Sequence, residues 1–311
     1  MLCCVLLTSC PKEPPFDDTP SIGHEVELWR YIPFSEGNRL ARLPGNAGIQ
    51  LVDNLPRLDG ATALYPVYAS FVQAVYPPTL DYSYWQGIVR VSTTPEAYVR
   101  LINEDVDIIF CAPPSREQVA MAEEKGKTFN STPIGKDAFV FFVNKNNPVN
   151  NLTIEQIQGI YSGRITNWEE VGGNNASILA YQRPANSGSQ TALEFIMDGV
   201  PIMNPPIDRI SGAMNMIFEE VAAYRNHGNA IGFSFLFFTT EMINSNEIKL
   251  LSIEGVSPTR ETIQSDQYPF SGTFYAITTG NETENTHKFI EWILSNQGQY
   301  LIEKTGYVPI R

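Results

Sequence analysis

Residues 181–198, YQRPANSGSQTALEFIMD, pass from a strand-like run through a small polar loop into a helix. The loop contains one arginine and three small residues, Arg183, Ser187, Gly188 and Ser189. From Thr191 onward the apolar residues recur at helical spacing. A helix start presents unpaired N–H groups and the positive end of its dipole, and an arginine adds a two-pronged cation. The stretch therefore predicts an anion-binding loop, although an isolated Ser-Gly-Ser more often only caps a helix.

A second loop of the same kind favours the functional interpretation. Residues 58–68, LDGATALYPVY, place small residues and one hydroxyl ahead of a run with a broad aromatic and aliphatic face. Gly60 permits a tight turn, Thr62 is expected to cap the next helix, and Pro66 is tolerated in its first turn. The chain thus has two helix starts that are suited to an anion.

Three successive hydroxyl residues, Ser92, Thr93 and Thr94, stand between a predicted strand and a predicted helix. Either threonine is expected to cap that helix, with Pro95 near its first position. In open α/β sheets, the edge where a strand gives way to a helix is the edge at which ligands bind. Ordinary capping explains at most one of the three hydroxyls, so this segment is a further candidate for ligand contact.

Composition and element order bound the fold. With 311 residues, of which 43% are hydrophobic, the chain is long enough for two lobes. Strands and helices alternate throughout, which predicts an α/β fold with mixed, mainly parallel sheets flanked by helices. A net charge of −13 argues against nucleic acid or an anionic membrane face as a partner. No Cys/His cluster has metal-ligand spacing, so we expect neither a metal nor a cofactor.

The N-terminal segment resembles the end of a bacterial lipoprotein signal. Residues 1–10, MLCCVLLTSC, are an apolar run that ends in Leu-Thr-Ser-Cys, without a basic residue before it. We expect them to be a signal remnant in which Cys10 is acylated, followed by a Pro- and Asp-rich tether at 11–22. No other run of about 18 apolar residues is present in the sequence. The lipid would then be the only membrane attachment.

Six segments together resemble the periplasmic phosphate-binding proteins that serve ABC transporters. They are DGATALYPVY, IGKDAFVFFVNKNNPV, LTIEQIQGIYSGRITNWEEVGG, RPANSGSQTALEF, GNAIGFSF and GQYLIEKTGYVPI. The resemblance implies a two-lobed periplasmic binding protein fold of type II, with a hinge of two crossing strands. It implies one lobe formed by 23–142 and 270–311 and another formed by 143–269.

The resemblance also implies a function. The family captures phosphate or a related small oxyanion and delivers it to an ABC transporter permease. Together with the N-terminal signal, the resemblance predicts a monomeric, membrane-anchored lipoprotein of the cell envelope. The implied ligand-binding residues are Ala61, Thr62, Ala63, Ser92, Thr93, Thr94, Arg183, Ser187, Gly188 and Ser189.

Two positions depart from the family pattern. Cys111, Ala112 and Pro113 stand where the family has an acid that accepts the proton of a protonated oxyanion, and Ala185 replaces the acid that pairs with the arginine. We therefore expect weaker discrimination between phosphate and sulfate, or another small anion as ligand. An acid that reaches the site from elsewhere, such as Asp59 or Glu194, would argue against this.

Two other classes of function, an enzyme and a lipoprotein without a transport role, are compatible with an α/β fold. Ser187 or Ser189 is a conceivable nucleophile, but neither lies in a G-x-S-x-G elbow. The three histidines, His24, His227 and His287, are scattered and suit solvated or capping roles. We therefore expect no catalytic residues. The alternative function is a lipoprotein of the same fold that acts as a sensor or in surface interactions without transport.

Overall fold

The computed structural model describes residues 26–205, 209–212, 217, 221, 228–280 and 282–310. The expected signal remnant, the tether and Cys10 lie outside these residues, as do His24 and His227.

Strands and helices alternate as the sequence predicts. The described strands are β1 (Leu58–Gly60), β2 (Ile108–Cys111), β3 (Asn130–Asn144), β4 (Asn151–Leu152), β5 (Leu179–Ala180), β6 (Ala230–Phe235), β7 (Ile248–Leu250), β8 (Ser252–Ile253), β9 (Ser271–Thr278) and β10 (Val308–Pro309). The described α-helices are α1 (Tyr65–Val75), α2 (Thr94–Ile102), α3 (Arg116–Glu124), α4 (Ile154–Tyr161), α5 (Gly188–Met197), α6 (Arg260–Gln264), α7 (Glu284–Ile293) and α8 (Asn296–Thr305).

Two strands cross between the lobes. The 15-residue β3 pairs antiparallel with β9, from Asn130 opposite Thr278 to Ala138 opposite Ser271. The rest of β3 pairs antiparallel with β6 and β7 in the second lobe. The resemblance implies a hinge of two crossing strands, and β3 and β9 are those strands. The two-lobed α/β architecture is therefore confirmed.

Strand direction differs between the lobes and the hinge. Within the lobes, β1 pairs with β2, β4 with β8 and β5 with β6, all in parallel, as the alternation of strand and helix predicts. The pairs that involve β3 or β9 are antiparallel. The sheets are therefore mixed, because each crossing strand runs against its neighbours.

Each lobe has its own apolar core. The first-lobe core surrounds α1 and β2 and includes Ile134 of β3, whereas Ala138 and the β3 residues after it mostly join the second-lobe core. On the return strand, Phe274 packs in the first core and Phe270 against the second. We therefore propose lobe boundaries between Ile134 and Ala138, earlier than residue 142, and between Phe270 and Phe274.

Candidate anion-binding site

The first loop, residues 60–63, leaves β1 under tight packing. A Cβ on Gly60 would lie 2.5 Å from the Phe110 carbonyl oxygen, so only glycine permits this approach of β1 to β2. The Ala61 N–H donates to that same carbonyl at 2.9 Å. Thr62 does not cap α1 as predicted, because a 3-10 turn over Thr62–Leu64 comes first and Leu64 is the N-cap residue. The start of this turn still offers N–H groups that have no partner within it.

The three hydroxyl residues at 92–94 have three different roles. Ser92 donates its hydroxyl to Asp59 Oδ2 at 2.7 Å and its N–H to Asp59 Oδ1 at 2.9 Å, so its one hydroxyl proton is already used. Thr93 is the N-cap residue of α2 but makes no side-chain cap bond, and its φ of 141° lies in a region that glycine favours. Thr94 is the buried first residue of α2.

The second loop, residues 183–189, is shorter than the sequence indicates because α5 already begins at Gly188. Ser187 is the N-cap residue, and its hydroxyl accepts the Gln190 N–H at 3.3 Å. Simple capping therefore describes Ser187. Ser189 and Thr191 lie in the first turn of α5, are buried, and have hydroxyls without a hydrogen-bond partner among the described residues. Buried hydroxyls of this kind are costly unless something binds them.

Arg183 is the cation of the second loop. Arg183 is only 9% exposed, and its Nη1 donates to the Ser211 carbonyl at 2.6 Å. Its Nε has no partner among the described residues. Burial lowers the pKa of Arg183 to about 10, and no acid in the described part of the chain offsets that cost. A buried guanidinium that lacks a carboxylate is a strong attractant for an anion.

The two loops meet across the interlobe cleft. A Cβ on Gly188 would lie 3.0 Å from Thr94 Oγ1, so the start of α5 touches the start of α2. Farther along, the Ser115 hydroxyl donates to Asn186 Oδ1 at 2.7 Å. One cavity of about 520 Å³ is lined by Ala61, Ala63, Thr94, Gly188 and Thr191, among other residues. The two loops therefore share one cavity, as the anion-site hypothesis requires.

The remaining candidates do not line this cavity. Thr62, Ser92, Thr93, Arg183, Ser187 and Ser189 are absent from its lining residues. Arg183 is nevertheless anchored to α5, because its backbone N–H donates to Gln190 Oε1 at 2.9 Å. The donors of the second loop thus lie behind the first turn of α5.

The acids near the site differ from those that the sequence nominates. Asp59 is fully buried and accepts bonds from Gly60 and Ser92, and neither Asp59 nor the exposed Glu194 lines the cavity. Ala112 and Pro113 contribute apolar wall in place of the expected acid. The cavity is instead lined by Asp137, whose Oδ1 accepts the Ala138 N–H at 2.8 Å and the Phe237 N–H at 3.3 Å.

Two site residues escaped the sequence analysis. Burial raises the pKa of Asp137 to about 7, and its signal was a lone charge at the start of the apolar strand DAFVFFV. The sequence identifies Thr191 only as the start of the helical spacing; the signal for its place in the site is the i, i+3 spacing from Gly188. Both residues face the cavity that the two loops share.

The described residues define what else the site contains. Within them, no group of three or more His, Cys, Asp or Glu side chains could hold a metal ion. Across the same residues, no helix combines the length and apolar character that crossing a membrane requires. The groups in and behind the cavity are amides, hydroxyls, the Arg183 guanidinium and the carboxylates of Asp137 and Asp198.

A two-lobed α/β fold with facing loops around an interlobe cavity defines a solute-binding protein. The chain belongs to the PBP superfamily, since the family model for the PBP superfamily domain matches residues 56–297. This is a family of binding proteins without enzymatic activity, so the expectation of a non-catalytic protein is confirmed.

Similar proteins are named for phosphate. The phosphate-binding protein PstS of Borreliella burgdorferi is 25% identical over 209 residues, which cover 61% of this chain and 69% of that protein. A solved phosphate ABC transporter substrate-binding protein from Clostridium perfringens is 24% identical, with a TM-score of 0.66 over 83% of this chain and 100% of its own. An ABC-type phosphate transport receptor from Vibrio cholerae is 23% identical, with a TM-score of 0.60 over 81% of this chain and 98% of its own.

Proposed function

We propose that this protein is an extracytoplasmic solute-binding lipoprotein that captures phosphate or a related small oxyanion between its lobes. The observation that carries the proposal is a set of buried donors that find no acceptor among the described residues: Arg183 Nε, Ser189 Oγ and Thr191 Oγ1. Together with the N-terminus of α5, these groups provide positive charge and hydrogen-bond donors from one side. Of these three residues only Thr191 lines the cavity, so an oxyanion there meets Thr191 and the start of α5 first, with the Arg183 charge behind them.

The overall charge supports a closed and local site. A net charge of −13 repels anions at long range, so short-range donors must supply the binding free energy. The names of the relatives make phosphate the first candidate. The apolar wall at Ala112 and Pro113 and the absence of an acid at position 185 favour an anion that carries no proton. We therefore propose weak discrimination between phosphate and sulfate, on the condition that neither of the acids that line the cavity, Asp137 and Asp198, accepts the phosphate proton.

Calorimetric titration of the purified protein with phosphate and with sulfate at pH 8 tests both statements. We expect one site for each anion, with the two dissociation constants within about tenfold of each other, or 1.4 kcal/mol. Phosphate bound more than about a thousandfold tighter than sulfate would contradict weak discrimination. If neither anion binds, the proposed function itself is wrong.

Delivery and anchoring complete the proposal. We infer that Cys10 carries lipid, that the monomer sits at the outer face of the membrane, and that it passes its ligand to an ABC transporter permease. Metabolic labelling with a radioactive fatty acid should mark the wild-type chain, whereas Cys10→Ser should stay unlabelled. Equal labelling of both chains would rule out Cys10 as the anchor.

A further inference from the structure

The interlobe cavity is larger and more apolar than an inorganic anion requires. We propose that the preferred ligand is an organic monoester, in which the oxyanion carries a compact apolar substituent lying along α5. This inference rests on the proposed function, because Thr191 and the start of α5 would contact the anionic head in both cases. The volume of the cavity, about 520 Å³, falls within the range of roughly 300–1,000 Å³ that is typical of pockets for organic ligands.

One face of α5 links the anion donors to the apolar part of the cavity. Gly188 and the unpaired donor Thr191 line the cavity at the start of the helix, and Ala192, Phe195 and Ile196 line it farther along. This spacing of three and four residues places all five on one side of the helix. One turn rises about 5.4 Å, so a substituent attached to the anion would reach Phe195 directly.

The apolar side chains at this end of the cavity are poorly covered. Phe195 is 60% exposed although it is a large aromatic residue. Ile154 of α4, Ile196 of α5 and Phe270 beside β9 line the same region and are only partly buried. Exposed apolar groups that border a polar site commonly mark the place where a ligand is covered.

The opposite wall is compatible with the same substituent. Ala112 and Pro113 present small apolar groups there in place of an acid. The Gln158 side chain, which also lines the cavity, does not need the ligand as a hydrogen-bond acceptor, because its Nε2 already donates to the Ile196 carbonyl at 3.0 Å. Asp137 and Asp198 also line the cavity and disfavour a second negative charge far from Arg183. The geometry therefore fits one anionic head with an uncharged apolar tail.

Titration with matched pairs of anions tests the inference: phosphate against phenyl phosphate, and sulfate against phenyl sulfate. We expect the phenyl derivative in at least one pair to bind about tenfold or more tighter than its inorganic anion. Phe195→Ser should reduce that advantage to threefold or less, while affinity for the inorganic anion stays within about twofold. Val52→Ser, which changes a 75% exposed residue that does not line the cavity, is the matched control.

A second variant guards against a merely structural effect of the first. Ala192→Leu fills the path along α5 and should exclude the phenyl derivatives while sparing the inorganic anions. If inorganic anions bind and the phenyl derivatives bind more weakly, the inference is overturned and the proposed function stands. An advantage of the phenyl derivative that persists in both variants would also overturn it. If no anion binds, the proposed function fails first.

Discussion

The two loops that face each other across the cleft satisfy their polar groups in opposite ways. In the first lobe, Asp59 accepts two N–H bonds and the Ser92 hydroxyl, and Arg100 Nε lies 3.6 Å from its Oδ2. In the second lobe, Arg183, Ser189 and Thr191 each keep a buried donor without an acceptor among the described residues. The buried acid beside the first loop is therefore paired without a ligand, whereas the second-lobe donors have no acceptor among the described residues.

This difference indicates how the two lobes divide the work of binding. A ligand gains more binding free energy from unpaired buried donors than from donors that must first break internal hydrogen bonds. The second lobe should therefore supply most of the affinity, and the first lobe should act as a preformed wall that closes over the ligand. Substitutions in the two loops should then separate affinity from stability.

The largest effect is expected for Arg183→Ala. Removal of the guanidinium should weaken anion binding by about a hundredfold or more, because it takes away the buried positive charge behind the first turn of α5. The melting temperature should stay within about 3 °C of wild type or rise, since burial of an unpaired charge costs stability. Calorimetric titration and thermal unfolding of the same preparations measure the two quantities.

Arg260→Ala is the matched control for this prediction. Arg260 is an exposed arginine in the second lobe, and its Nη2 lies 3.3 Å from Glu303 Oε1. It is not among the residues that line the cavity. Its loss should leave anion affinity unchanged within about twofold and should shift stability little, as for exposed ion pairs in general. Retained affinity in Arg183→Ala would mean that the ligand lies elsewhere.

The next largest effects distinguish the hydroxyls of α5. Ser189→Ala and Thr191→Val each remove an unpaired buried donor, so each should weaken anion binding by about tenfold and leave stability unchanged or improved. Ser187→Ala removes the cap bond to Gln190 and should cost about 1 kcal/mol of stability with a smaller effect on affinity. The reverse assignment, with Ser187 critical for affinity and Ser189 for stability, would overturn our description of the second loop.

Local signals in the sequence were sufficient for the elements but not for the partners of their side chains. Thr153 and Gln156 have the S/T-x-x-E/Q spacing of a capping box, and the box forms; Gly163 follows α4 with a φ of 77°. The segments that form the crossing strands, DAFVFFV and YPFSGTFYAIT, are long and largely apolar in the sequence itself. These features depend on neighbours within a few residues, which is why a single sequence contains enough information.

The hydrogen-bond partners and the burial of the site residues could not be predicted from the sequence, because they depend on contacts between residues that are far apart in the chain. The Asp59–Ser92 pair joins residues 33 positions apart, so nothing nearby indicates that Ser92 has spent its hydroxyl proton. The burial of Arg183 and the partial burial of Asp137 likewise arise from packing of whole elements. The convergence of the two loops was predicted only from the resemblance to a family, and the shared cavity supports it.

A smaller effect on affinity, with a clear effect on stability, is expected for Ser92→Ala. The variant removes the hydroxyl donor from the buried Asp59 carboxylate, which should cost about 2 kcal/mol of unfolding free energy. Anion affinity should change less than about threefold, because the hydroxyl already serves Asp59. Urea unfolding and titration together check this, and Ser83→Ala, outside the cavity lining, controls for the loss of a serine hydroxyl. A tenfold loss of affinity would show that Ser92 contacts the ligand.

The smallest effect is expected at the hinge strand between the two loops, where Asp137→Asn should alter the pH dependence of stability. Burial raises the pKa of Asp137 to about 7 from 3.8, so the folded chain binds this proton more tightly than the unfolded chain does. Stability from this group is therefore present below about pH 4 and is lost as pH rises to about 7. Asparagine keeps an oxygen acceptor for the Ala138 and Phe237 N–H groups but has no charge to bury.

The variant should thus gain about 1–2 kcal/mol relative to wild type between pH 5 and pH 8, where the partly exposed wild-type carboxylate becomes ionised. Melting temperatures of both proteins at the two pH values measure that gain. The same difference at both pH values would show that Asp137 titrates normally. Its charge would then be present in the cavity throughout this pH range, and the cleft would oppose an anion more strongly than its geometry indicates.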